Sequence, residues 1–488
     1  LRRFFTLTVV ALTLCGLAAG PALALGGGGS GDEPVLDEPP SRAPKKEKGY
    51  EKTINLAVDD IREFWADEFS VLYPDLPYEE VSDKEIFAMT PDTEDGPTCG
   101  GTALGYSDVE GNAQYARCGS GEKFIWWDDE QLFPQFYADY GDYSIALVLA
   151  HEWGHAIQDQ AGNLGNQPSI LLERQADCFA GAWTQRVQNG DSTIELKGGE
   201  LDQALSALLQ VADPVGSDPG ADQAHGSGFD RVTSFQTGID DGAEGCANYF
   251  TDPPISTEIT FTSEQEAAGG GNVDADLVIP ISVDLLNDFY SQVAPDVYKE
   301  LTIDNVQPYD SKAKKKDLPK CGGSTPARKQ LRSRVFYCLP DGYIGFDQPY
   351  LQTVYETIGD FGVATLFANA WATYVQTLQD FPGVEDNSDN AVLGADCYTG
   401  GFAAAMFNEL LSSDELSADG TSEKIVFSPG DLDETIQAFI NYNKARGVEA
   451  NLDVTFLRVS TFRDGFLQGF DSCSKWQDDS TTLDEPSG

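Results

Sequence analysis

The sequence predicts an α+β fold, mainly helical with a small β-sheet, arranged as two tandem copies stapled by disulfides. Three observations carry that expectation. The chain repeats itself in register: Gly141-Asp142-Tyr143 and the run to Ala150 return as Gly359-Asp360-Phe361 and a run to Ala368, and Val58-Asp59 with Phe64-Trp65 returns as Val283-Asp284 with Phe289-Tyr290. The cysteines repeat with it, Cys99-Gly100-Gly101 as Cys321-Gly322-Gly323, Cys118 as Cys338, Asp177-Cys178 as Asp396-Cys397 and Cys246 as Cys473. The stretch Tyr143–Ala150 is apolar and free of Pro and Gly, as a buried helix is, while strand-like segments are short.

The elements follow in chain order. Residues 1–24 read as a secretory signal peptide: Arg2 and Arg3, an apolar run from Phe4 to about Leu17, then Pro21-Ala22-Leu23-Ala24. Gly20-Pro21 breaks a spanning helix, so no stable membrane insertion is expected after cleavage, and the mature protein is expected to be secreted or at the cell surface. Residues 25–48 are a Gly-rich, then Pro- and charge-rich linker. Residues 49–250 and 276–478 are the two domains, each of roughly 200 residues and large enough for its own core. Residues 251–275, with Pro253-Pro254 and Gly269-Gly270-Gly271, link them, and 479–488 is a tail. Within each copy we expect an N-terminal helix, a cysteine-flanked β region and a cluster of helices. Lys123-Phe124-Ile125-Trp126-Trp127-Asp128 reads as a strand, taken as an edge to which an extended peptide can add. The helix through Ile157 returns to solvent at Gln158, and a second helical stretch opens at Glu173 and runs to about Gln188.

Composition narrows the partners. A net charge of −49 and a pI near 4.1 exclude nucleic acid. The basic run Lys312, Lys314-Lys315-Lys316 and Lys320 reads as a solvated loop. Eight cysteines remain once the signal peptide is removed, four per copy, in a chain bound for an oxidising compartment. The duplication constrains their pairing to Cys99–Cys118 and Cys178–Cys246, mirrored by Cys321–Cys338 and Cys397–Cys473.

The chain has three histidines, and two of them bracket a glutamate in His151-Glu152-Trp153-Gly154-His155. Residues four apart share a helix face, so both imidazoles reach one metal ion while Glu152 faces a water on it. Catalytic zinc sites keep three protein ligands. Ala161 stands six residues after His155, so a three-histidine pattern fails, and Glu173 is the best third ligand. Asp177, one turn on, can accept the other ring N–H of a ligand histidine or serve the fold.

His-Glu-Trp-Gly-His, followed by Glu173-Arg174-Gln175-Ala176-Asp177-Cys178, then Ala224-His225-Gly226 and Arg231 before Phe235 and Gly238, resembles the neutral zinc metallopeptidase family, relatives of the gluzincins, over about residues 97 to 250. The resemblance implies a zincin-like fold, Zn²⁺ on His151, His155 and Glu173, Glu152 as general base, and His225 as an active-site histidine that donates to the developing oxyanion. It implies a peptide or protein substrate. In the second copy His151 becomes Asn369, Glu152 becomes Ala370, His155 becomes Thr373, Glu173 becomes Val392 and His225 becomes Leu452, whereas Trp153 persists as Trp371 and Asp177 as Asp396. That copy is expected to be inactive, packed on or near the first. The competing reading is a cell-surface binding or regulatory protein with a mainly structural zinc; a general base beside two histidines argues against it.

Overall fold

The computed structural model describes residues 48–477 apart from 222–223, 386–387, 409–410, 412, 417–421, 426 and 447–453. The expected signal peptide, nearly all of the 25–48 linker, the tail and Leu452 lie outside the described residues. By the density of its contacts the chain forms two compact units that interleave in sequence. One holds the chain up to Leu196 with Gly220–His225 and Thr237–Pro254; the other holds Lys197–Pro219, Gly226–Gln236 and the chain from Ile255 onward.

The first half of the chain runs α1 (Glu51–Leu72), β1 (Ile86–Met89), β2 (Thr98–Cys99), β3 (Thr102–Ala103), β4 (Ala113–Arg117), β5 (Lys123–Asp128), α2 (Leu132–Tyr140), α3 (Asp142–Gln160), α4 (Ser169–Gln188), α5 (Glu200–Gln210) and α6 (Gly228–Ala247). Strands β1, β5 and β4 form one sheet in that order, β1 parallel and β4 antiparallel to β5. Gly100 and Gly101 have φ of +59° and +77°, the pair of left-handed residues that a two-residue turn between β2 and β3 requires. The disulfide Cys99–Cys118 ties this ribbon to the end of β4. One face of the sheet, with Phe124 and Trp126, packs on Met89, Val109 and the disulfide. On the other face Trp127 stacks on Phe133 of α2, with ring centroids 5.1 Å apart.

Lys123–Asp128 is therefore a strand, but it is the central one. The run Phe124-Ile125-Trp126-Trp127 is buried on both faces, the signature of a strand with neighbours on each side. The antiparallel edge is β4. Asp128 donates its N–H to the Asn112 carbonyl and Cys118 donates to that of Glu122, both at 2.8 Å. By antiparallel alternation Gln114 and Ala116 then face β5, while the backbone groups of Ala113, Tyr115 and Arg117 point to the open side.

The second half runs α7 (Glu264–Gly269), α8 (Val278–Val293), β6 (Val306–Tyr309), α9 (Arg328–Leu331), β7 (Val335–Cys338), β8 (Tyr343–Asp347), α10 (Gln348–Thr357), α11 (Asp360–Leu378), α12 (Asp389–Phe407), β9 (Ser413–Leu416), β10 (Ser422–Ile425), α13 (Asp431–Arg446) and α14 (Val454–Gln468). Its three-stranded sheet has the order β6-β8-β7, with β6 parallel and β7 antiparallel to β8. The four disulfides, Cys99–Cys118, Cys178–Cys246, Cys321–Cys338 and Cys397–Cys473, pair the cysteines that the register pairs. Among the described residues no helix is long and apolar enough to cross a membrane.

Three carboxylates meet where α11 and α13 begin: oxygens of Asp360, Asp431 and Glu434 lie within 4.8 Å of one another. Backbone N–H groups of Phe361 and Gly362 donate to Glu434, that of Val273 to Asp360 and that of Ser428 to Asp431. Burial, and for Asp431 and Glu434 also the neighbouring negative charges, push all three carboxyls above the usual carboxylate range. A carboxyl whose pKa is raised in the fold contributes stability at low pH that is lost as pH rises above the unfolded value. Glu434→Gln, which keeps an acceptor for both N–H groups and carries no charge, is expected to raise the melting temperature at pH 8 and to flatten its fall between pH 5 and pH 8. An unchanged slope in thermal melts across that range contradicts this account.

Candidate metal centre

The site is built where α3 and α4 cross. A Cβ added at Gly154 of α3 would lie 2.9 Å from the Cα of Ala176 and 3.0 Å from its Cβ. The backbones thus approach as closely as a missing side chain allows, and Glu173, one turn before Ala176, sits over the histidine pair. Helix α4 begins at Ser169, a turn earlier than expected, so Glu173 lies within regular helix.

Three predicted ligands converge. The Nε2 atoms of His151 and His155 are 3.1 Å apart, and Glu173 places Oε2 3.3 Å from the first and Oε1 3.4 Å from the second. All three side chains are buried. The outer ring nitrogens are both engaged: His151 Nδ1 lies 2.8 Å from Asp177 Oδ1, and His155 Nδ1 lies 2.9 Å from Gln158 Oε1. Both partners are oxygen acceptors, so the Nδ1 atoms carry the protons and each Nε2 lone pair faces the gap between the rings. Two Nε2 atoms in contact beside a carboxylate oxygen, Glu173 Oε1, that is buried without a hydrogen-bond partner among the described residues call for positive charge between them, a proton on one ring or a metal ion. Bonds of about 2.0–2.1 Å in tetrahedral geometry set ligand atoms roughly 3.3 Å apart, the spacing found here. Two imidazoles and a carboxylate are a donor set of catalytic zinc sites, so the residues fit that metal.

Electrostatics agree with a cation-binding cluster. Burial pulls the His151 imidazole down, but the Asp177 and Glu173 carboxylates outweigh it and push the ring up to about 10 when no metal shares the site. Burial pushes Glu173 up, and the two histidines overcome this and hold it well below the usual carboxylate range. Burial raises Glu152, opposed in part by the histidines. Glu152 is not one of the converging three: its Oε2 accepts the N–H of Tyr115 at 2.6 Å, from the open side of β4. His225 is buried in the stretch before α6, in the same unit as the three ligands but outside their cluster.

Gln158 is a residue that sequence reasoning missed. The sequence pattern puts it at the return to solvent, yet it is fully buried, holding His155 through its oxygen and the Leu172 carbonyl through its amide at 2.7 Å. Its signal was its persistence as Gln376, whose amide makes the same bond to the Ala391 carbonyl at 2.9 Å. Asp177 also has its counterpart. Asp396 accepts from Asn369, the residue in the place of His151, at 2.7 Å, and from Arg458 at 2.6 and 2.7 Å.

The close crossing predicts an effect at Gly154. Alanine favours a helix by about 1 kcal/mol over glycine, yet Gly154→Ala must push α4 away and move Glu173 off the histidines. The second half has Ala372 and Ala395 at these places. Gly154→Ala is expected to weaken zinc binding roughly 10- to 100-fold, read by competition with a chromogenic chelator; unchanged affinity refutes the crossing argument.

The profile of the family described as "Putative neutral zinc metallopeptidase" matches residues 128–250, which include the three converging ligands, Glu152 and His225. Uncharacterized protein YpfJ of Escherichia coli (strain K12) is 31% identical over 130 residues, 22% of this chain and 44% of the relative. Uncharacterized protein Mb2605 of Mycobacterium bovis is 28% identical over 142 residues, 25% of this chain and 48% of the relative, and Uncharacterized protein Rv2575 of Mycobacterium tuberculosis (strain H37Rv) matches to the same extent. The chain thus spans less than half the length of these relatives. No solved structure matches. Over this quarter of its length, the chain is similar to a zinc metallopeptidase family.

Proposed function

We propose that this protein is a secreted zinc-dependent peptidase whose active site lies in the first half of the chain, and that the second half is a copy without catalysis. The observation that carries the reading is the convergence of His151, His155 and Glu173 beside a buried Glu152 that is not itself a ligand. A structural zinc needs no such neighbour.

His151, His155 and Glu173 would hold the ion, with Asp177 and Gln158 fixing both rings as Nδ1–H tautomers. Zinc at this place supplies acidification of a water toward a pKa of ~7 and polarisation of a substrate carbonyl. Glu152 takes the proton from the attacking water and delivers it to the nitrogen of the leaving amine, so its raised pKa suits a group that must both accept and donate. His225 donates to the oxygen that gains charge. An extended peptide would add along the open side of β4, where the N–H of Tyr115 now bonds Glu152.

Support for the copy comes from sheets of the same order and pairing and from disulfides at the same places in both halves. Asn369, Ala370, Thr373 and Val392 leave that half without the two histidines and two glutamates at the equivalent places.

The test is zinc analysis paired with cleavage of a mixed peptide library by wild type and Glu173→Ala. Zinc near one ion per chain with cleavage in wild type, and loss of both in the variant, is the expected result. Zinc in wild type without any cleavage sinks the peptidase reading and favours a binding protein with a structural ion.

A further inference from the structure

The four N–H groups that open α6 and the turn before it all end on carboxylates from elsewhere in the chain. Gly226 donates to Asp213 at 2.9 Å, Ser227 to Glu258, and Gly228 and Phe229 to the two oxygens of Asp433 at 2.9 and 2.6 Å. A helix start leaves such groups without partners of its own, and negative charge there is favourable. His225 stands immediately before this segment. Asp433 belongs to α13, in the half with Asn369 and Thr373 in the places of His151 and His155.

The arrangement is reciprocal. Asp202 of α5 accepts from Thr455 and Phe456, at the start of α14, at 3.2 and 2.6 Å. Gly199-Glu200-Leu201-Asp202 matches Gly430-Asp431-Leu432-Asp433, and both glycines have left-handed φ, 91° and 98°. Phe229 meets Phe462 and Phe235 meets Phe456, each edge-on with centroids 6.1 Å apart. Such exchange of equivalent contacts is the pattern of an isologous interface. The two caps differ in one respect: α6 follows His225, whereas the residue in the corresponding place before α14 is Leu452.

We propose that Asp433 is a positioning residue for the reaction: the second half supplies the cap that fixes the start of α6 and, through it, the backbone that carries His225. The proposal rests on the reading that His225 serves the peptidase reaction. It gives the second half a task that requires no chemistry of its own. Asp202 is then a built-in control, since its cap has the same form and supports no reactive side chain.

The experiment uses the full zinc-loaded chain and the variants Asp433→Ala, Asp433→Asn and Asp202→Ala. Peptide cleavage, thermal melting and the imidazole proton signals of the three histidines are measured on each. Asp433→Ala is expected to lower kcat about 10- to 100-fold with KM little changed and to shift the His225 signal while those of His151 and His155 stay in place. Asp433→Asn, which keeps an acceptor oxygen, recovers most of both. Asp202→Ala lowers the melting temperature by a similar amount and leaves kcat and the His225 signal unchanged. Equal losses of kcat in the two alanine variants, or an unmoved His225 signal in Asp433→Ala, overturn the proposal. If wild type cleaves nothing, the peptidase reading falls, and the His225 signal alone decides the positioning role.

Discussion

Glu152→Gln is expected to retain one zinc per chain and to bring peptide cleavage close to background. Glutamine has the size of glutamate and keeps an oxygen to accept the N–H of Tyr115, a bond now 2.6 Å long, so the strand and helix should stay together. None of the three converging ligands is touched. What is lost is the ability to take a proton from water and pass it to the amine, a contribution of roughly 10²- to 10⁴-fold for a general base. The check is kcat/KM beside metal analysis on the same preparation. Activity within tenfold of wild type would falsify the role of Glu152 and leave the cluster as a structural site. Loss of zinc together with activity would show that Glu152 holds the ion's surroundings rather than acting as base.

The largest effect on stability is expected in the second half, at Arg458. Its guanidinium bonds both oxygens of the fully buried Asp396 and the side-chain oxygen of Asn443 at 3.1 Å, and lies over the Phe439 ring at 4.6 Å. Removing one member of a buried pair strands the other, at a cost of about 3–5 kcal/mol. Arg458→Met should therefore lower the melting temperature on the order of ten degrees, at about 2–4 °C per kcal/mol. The double variant Asp396→Asn with Arg458→Met should recover much of the loss, because no charge is then stranded. At the equivalent place in the first half the expected readout differs: Asp177→Asn weakens zinc binding about 10- to 100-fold, because the carboxylate holds the ring of His151. Melting curves of the single and double variants decide the first claim; single and double variants that melt alike contradict it.

The helices and the facing of the two histidines were legible because both rest on local spacing. His151 and His155 share a face by helical period, and the four disulfides followed from register between the halves. Glu173 could be proposed because few acidic residues lie where a neighbouring helix must supply a third ligand. What was not legible depended on partners distant in sequence. The sequence does not show that strand β5 is central, because its parallel partner β1 is brought beside it by tertiary structure and not by any nearby turn signal. Gln158 looked like a solvent residue, since an amide in a run of Gln158-Asp159-Gln160 is ordinarily exposed; its burial is set by the Leu172 carbonyl of the next helix. Asp202 and Asp433 carry no signal of their own in the sequence. Their acceptor role appears only when α6 and α14 are brought to them. The interleaving of the two units likewise depends on where α5 and the front of α6 pack, which no composition change marks.

Gln376 carries a historical consequence. Its amide still joins α11 to the Ala391 carbonyl, but its oxygen, which in the first half would meet a histidine, is buried without a partner among the described residues. Leaving such an acceptor unmet costs about 1–3 kcal/mol, a load that drift toward an apolar side chain would relieve. If the halves descend from one ancestor, Gln376 keeps the form of a residue whose counterpart, Gln158, holds a histidine ring. Asp396 has Arg458 as its partner in that half, whereas the oxygen of Gln376 has none among the described residues, so the two equivalents of the residues that hold the histidines differ in how they are satisfied.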